Sequence, residues 1–237
     1  MKTKLFSLAL VVFSTCIVAQ STSISGGAGH FFIGQSWINY DNLNRMFVDP
    51  LYNYATNLSP VPPTEEPENT FQSPTMMVGG GGFGVINNFL IGGEGGVILP
   101  SEISNRTYHP NASLASGYGL LKFGYMFPLN DKMVLYPTVG MGYGGSILTQ
   151  DFFGVVEREF TSEQVFLQAE LNFDLFPFSD LSGLKTGLSV GYMFNPNSTP
   201  WANEEGGFNR TVPTHLLNGF YFRLTIGGGG YSIKRES

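Results

Sequence analysis

Period-two alternation is the feature that most restricts what this chain can fold into. Residues 164–175 place Val165, Leu167, Ala169, Leu171, Phe173 and Leu175 on one face, and Phe166, Gln168, Glu170, Asn172 and Asp174 on the other. Successive side chains point to opposite faces of a strand, whereas a helix would scatter those polar groups around its circumference. Residues 219–226 set Phe220, Phe222, Leu224 and Ile226 against Tyr221, Arg223 and Thr225. Residues 184–194 set Leu184, Leu188, Val190, Tyr192 and Phe194 against Lys185, Gly187, Ser189, Gly191 and Met193. The pattern continues in 119–127 (Leu121, Phe123, Tyr125 and Phe127 against Leu120, Lys122, Gly124 and Met126). In 133–145 it sets Leu135, Val139, Met141 and Tyr143 against Tyr136, Thr138, Gly140 and Gly142, with Pro137 predicting a bulge or local break in pairing. Three glycine-rich segments, 27–38, 76–87 and 89–99, carry the alternation more faintly and bring the count to eight. Eight antiparallel strands close a barrel whose interior side chains just fill it.

The connections point to a membrane. They alternate between long (39–75, 100–113, 148–160, 195–213) and short (Asn87–Asn88, 128–132, 177–183). Short periplasmic turns and longer external loops mark outer-membrane barrels, and an even strand count returns both termini to the periplasm. Only 13% of residues are charged, against about 25% in a soluble domain, while 31 of 237 are glycine and 14% aromatic. After the N-terminus no segment approaches 18 consecutive apolar residues, so helical spans are excluded. Trp37 and Tyr40 on the outer side, with Phe89, Tyr125, Phe127, Phe173 and Phe176 on the periplasmic side, are candidate interfacial girdles. The net charge of −6 argues against nucleic acid as a partner.

The N-terminus reads as an export signal: Lys2 and Lys4, an apolar run from Leu5 to Val18, and a cleavage pair Ile17/Ala19 before Gln20. This divides the chain into a signal peptide, 1–19, and one outer-membrane domain, 20–237. Lipid attachment at Cys16 is disfavoured, because Thr15 precedes it and apolar residues follow.

Signal peptide, strand count, loop rhythm and glycine-rich strand ends together resemble small outer-membrane barrels of the type typified by OmpA and OmpX. The run Gly219-Phe-Tyr-Phe-Arg-Leu-Thr-Ile-Gly is similar to their closing strand. One departure is that many of those barrels end on an aromatic residue recognised during assembly, whereas this chain continues through Tyr231-Ser-Ile-Lys-Arg-Glu-Ser. The resemblance implies an interior plugged by salt bridges, with the barrel-assembly machinery, outer-membrane lipid and lipopolysaccharide as partners.

If the apolar faces meet lipid, Glu94, Lys122, Gln168, Glu170, Asp174, Lys185 and Arg223 point inward. Three cations and three carboxylates balance, as buried charge requires. Inward Gly92, Gly96, Gly124, Gly140, Gly142, Gly187 and Gly191 make room for large neighbours. Gly79 to Gly82 and Gly227 to Gly230 lack the Lys-Ser/Thr ending of a phosphate loop. His30, His109 and His215 lie far apart, with no metal-ligand spacing; His109 has Ser113 nearby, but no third group is evident. No cofactor is expected. The expected function is therefore a non-enzymatic integral outer-membrane protein with a closed polar interior. Its role is structural or one of surface interaction, through an unidentified ligand at the Pro-rich, acidic 39–75 loop. The rivals are a lipid-modifying hydrolase, a small gated pore and a soluble periplasmic β-sandwich.

Overall fold

The computed structural model describes residues 22–44, 71–104, 110–152, 156–196, 201–203, 208–209 and 217–235. Eight long strands form the wall: β1 (Thr22–Ile38), β2 (Thr75–Ile86), β3 (Phe89–Ser104), β4 (Pro110–Tyr125), β6 (Met133–Phe152), β7 (Val156–Leu175), β8 (Ser182–Phe194) and β11 (Gly219–Arg235). Short pieces complete the list: α1 (Asp41–Leu43), β5 (Phe127–Asn130), β9 (Trp201–Asn203) and β10 (Phe208–Asn209). Every long strand pairs antiparallel with its neighbours, in the order β1-β2-β3-β4-β6-β7-β8-β11. The ring closes where β11 pairs with β1, from Thr22↔Arg235 to Ile38↔Gly219.

The alternation read from the sequence sets the facing of the wall. Phe31, Ile33, Ile91, Leu121, Phe123, Val139, Met141, Leu171, Leu188, Val190, Phe222 and Leu224 are all exposed on the outside. Ten residues of a strand tilted about 40° climb roughly 25 Å, the height of a lipid-facing band. Trp37, Phe220 and Tyr192 form one row across β1, β11 and β8 at the outer edge of that band, with Phe220 and Tyr192 rings 4.7 Å apart. At the periplasmic edge, the Tyr125 ring meets Phe89 edge to face at 5.4 Å and lies tilted 4.9 Å from Phe127. No described helix is long and apolar enough to cross a membrane. The strands cross it, and the chain is an outer-membrane β-barrel.

Several expected boundaries move. β3, β4, β6 and β7 run on through much of 100–113 and 148–160, because above the lipid a ladder needs no apolar outer face to persist. Tyr40 and Phe176 are not girdle residues: each follows a strand end, folds over a mouth of the barrel and is buried. The last strand does not stop near Gly227 but continues to Arg235, carrying Tyr231 into the periplasmic end of the lumen. At Pro137 the local break occurs on one side only. The β4–β6 ladder stops at Gly124↔Thr138 and resumes with β5 at Phe127↔Leu135, while the β7 side pairs without interruption. A proline can donate no ladder hydrogen bond.

A closed ring leaves no free edge along the membrane-spanning wall and satisfies its backbone internally, so it resists detergent at room temperature. Membrane-extracted protein should therefore migrate differently in SDS gels before and after boiling. Identical migration would contradict the closed wall.

Candidate functional site in the barrel lumen

The structure brings Glu94, Lys122, Gln168, Glu170, Asp174, Lys185 and Arg223 into the lumen from β3, β4, β7, β8 and β11, and all are buried. Four of them form a closed ring of ion pairs. Lys122 Nζ donates to Glu94 Oε2 at 2.8 Å and to Glu170 Oε1 at 2.6 Å. Arg223 bridges the same two carboxylates, through Nη1 to Glu94 and Nη2 to Glu170. Its guanidinium also lies 4.3 Å from the Phe32 ring and 4.7 Å from the Tyr221 ring. The Tyr221 hydroxyl donates to Glu170 Oε2 and accepts from Gln168 Nε2, both at 2.6 Å. A second cluster holds Lys185 Nζ 2.5 Å from Asp174 Oδ2, which also accepts from the Tyr136 hydroxyl at 2.9 Å. Each cluster is balanced in charge, the condition under which ions tolerate burial.

Glycine supplies the volume. A Cβ on Gly34 would stand 2.7 Å from Arg223 Cγ, one on Gly142 would be 2.6 Å from the Phe166 ring, and one on Gly191 would collide with the Tyr221 hydroxyl. Gly34 lay outside the inward set read from the sequence.

His30 is a lumen residue that side-chain alternation alone did not assign. Its Nε2 lies 3.7 Å from Glu94 Oε2, beside the ion ring. The signal was present but faint: counting back in twos from Phe32 puts His30 on the inner face, yet the glycines around it carry no polarity to show this. His109 and His215 lie outside the described residues. Ser113 sits half-buried on β4. No group of described His, Cys, Asp or Glu side chains could hold a metal ion.

The buried polar centre is flanked by apolar clusters at both ends. Towards the outside, Tyr40, Leu43, Phe71, Trp201 and Leu217 pack with the inward strand residues Leu114, Leu148 and Phe166. Towards the periplasm, Ile24, Val85, Leu90, Met126, Val134, Phe176, Leu181 and Tyr231 do the same. The outer plug is pinned at its neck. Asn44 Nδ2 donates to the Phe71 carbonyl at 3.0 Å, and the Phe71 amide donates back to Asn44 Oδ1 at 2.8 Å. Of the 39–75 loop, residues 45–70 lie outside the described residues.

No family model matches the chain, and no curated protein matches its sequence. Among solved structures it is similar to Ail, the attachment invasion locus protein of Yersinia pestis, in complex with the heparin analogue sucrose octasulfate. That match has 10% identity and a TM-score of 0.47, covering 88% of this chain and 99% of that one. A second crystal structure of Ail gives 11% identity, a TM-score of 0.43 and the same coverage. The outer membrane protease OmpT from Escherichia coli gives 8% identity, a TM-score of 0.30, and coverage of 91% and 96%. The chain's own wall is a closed ring of eight antiparallel strands with an apolar outer belt. Those features make it a small outer-membrane β-barrel.

Proposed function

We propose that the protein is a non-conducting, non-enzymatic barrel that serves the outer membrane structurally and meets its surroundings through the 39–75 loop. The observation that carries this reading is the pair of apolar plugs above and below the ion clusters. A water-filled conduit needs a continuous polar path, and packed Phe71, Trp201 and Leu217 at one end, with Met126, Phe176 and Leu181 at the other, oppose it. The reciprocal Asn44–Phe71 hydrogen bonds support a display role, since they fix the two points from which residues 45–70 depart. That segment carries Arg45 against Asp49, Glu65, Glu66 and Glu68, so a partner with positive charge suits it best. Lipid and lipopolysaccharide would contact the apolar belt, and the barrel-assembly machinery would insert the chain.

Planar-bilayer recording separates this from the gated pore: no stepwise conductance is expected from the refolded protein, and discrete openings would overturn the reading. Incubation with lipid A or phospholipid tests the hydrolase alternative, since release of fatty acid would make the barrel an enzyme. Replacing 45–70 by a short glycine-serine linker should abolish surface binding while leaving heat-modifiable migration unchanged.

A further inference from the structure

His30 stands between the two ion clusters. Successive Cα partners across the wall run Lys185↔Gly227↔His30↔Gly81↔Glu94, so the imidazole is flanked on both sides by residues without side chains. The neighbouring row runs Asp174↔Gly187↔Thr225↔Phe32. Thr225 is thus diagonal to His30 across β11 and β1, a Cα separation of roughly 7–8 Å.

Two buried polar atoms in these rows have no partner within the protein: His30 Nδ1 and Thr225 Oγ1. A third group converges on the threonine hydroxyl. A Cβ placed on Gly187 would collide with Asp174 Oδ1 and stand 2.7 Å from Thr225 Oγ1, so carboxylate and hydroxyl approach one point. Buried polar groups are hydrogen-bonded in folded proteins, to water where protein atoms do not reach. A buried water needs two to four polar partners, and this spot supplies both donors and acceptors. The apolar plugs isolate it from both mouths. An ion is a poorer occupant, because the carboxylates nearby are already neutralised by Lys122, Arg223 and Lys185.

We propose that the lumen holds a bound structural water here, or a short file of them, linking Thr225 Oγ1, His30 Nδ1 and Asp174 Oδ1 and joining the two ion clusters into one network. The barrel is then wet at its centre and dry at both ends. This stands independently of the surface role proposed above.

Thr225→Val keeps the side-chain shape and removes the hydroxyl. If the hydroxyl were a dry orphan, the change would stabilise the barrel; as a water ligand, its loss raises the unfolding equilibrium constant roughly fivefold. Combined with His30→Leu, the joint effect should fall short of the product of the single effects by at least about threefold, though the two side chains share no direct hydrogen bond. A raised urea midpoint for Thr225→Val, or strict additivity of the pair, overturns the proposal. Should either variant fail to fold, the wild-type barrel in micelles decides: magnetisation transfer from water to the Thr225 methyl and His30 ring protons is expected, and its absence would mean a dry site.

Discussion

Arg223→Met is expected to lower the unfolding free energy of the barrel by about 3–5 kcal/mol, and Glu170→Gln in the same chain to return much of that loss. The ring explains both effects. Lys122 and Arg223 each bridge Glu94 and Glu170, so removing one cation leaves two buried carboxylates sharing a single ammonium. The uncompensated charge, not the lost bonds, dominates the cost. Neutralising Glu170 then leaves Lys122 paired with Glu94 alone, a balanced pair at 2.8 Å. Glu94→Gln should rescue in the same way, because Arg223 contacts both carboxylates. The measurement is a double-mutant cycle on urea unfolding in lipid vesicles, with coupling of about 0.5–3 kcal/mol expected for either pair. Strict additivity for both would mean the ring does not exist in the folded membrane protein. Higher bilayer conductance in the double variant would instead favour the gated pore, since the plugs alone would then fail to seal the lumen.

How much of this was legible in sequence depended on whether a residue's facing followed from a strand's period. On the runs 167–175, 184–192 and 220–226 the alternation is clear, and it alone assigns Glu170, Asp174, Lys185 and Arg223 to the inside. On β1 and β2 glycine erases the contrast between faces, which hid His30 although its register is as regular as the rest. The outer plug was illegible for a different reason. Tyr40, Leu43, Phe71, Trp201 and Leu217 come from outside the eight long strands, where no periodicity encodes direction and only tertiary packing selects the inward rotamer.

The periplasmic turns show the same division. Asn87–Asn88 was readable as a two-residue turn, and both residues adopt the positive φ (49° and 71°) that asparagine tolerates. What could not be read is that Asn88 also staples three strand ends. Its amide donates to the Ile24 carbonyl at 2.9 Å, its Oδ1 accepts from the Ile24 amide at 3.1 Å, and its Nδ2 donates to the Met126 carbonyl at 2.9 Å. Those partners are 64 and 38 residues away, a distance at which local pattern carries no information.

A charge on the outer wall should hurt according to its depth. Leu171 and Leu188 lie near the middle of the apolar outward runs of β7 and β8, and both are exposed on the barrel's exterior. Leu171→Arg or Leu188→Arg should each cost about 2–4 kcal/mol, because an arginine at the midplane must drag water and headgroups inward or leave its charge in hydrocarbon. Leu129 is equally apolar and equally exposed but sits in β5, beside the periplasmic turn. Leu129→Arg should cost no more than about 1 kcal/mol, since its side chain can reach the headgroups directly. A soluble barrel would tolerate all three changes, its outer face being wetted everywhere. Urea titration of the three variants in vesicles therefore tests facing and depth together: a large loss at Leu171 and Leu188 with little at Leu129 is the expected pattern. Equal losses at all three would misplace the membrane relative to the strands, and equal tolerance would remove the membrane from the account of this fold.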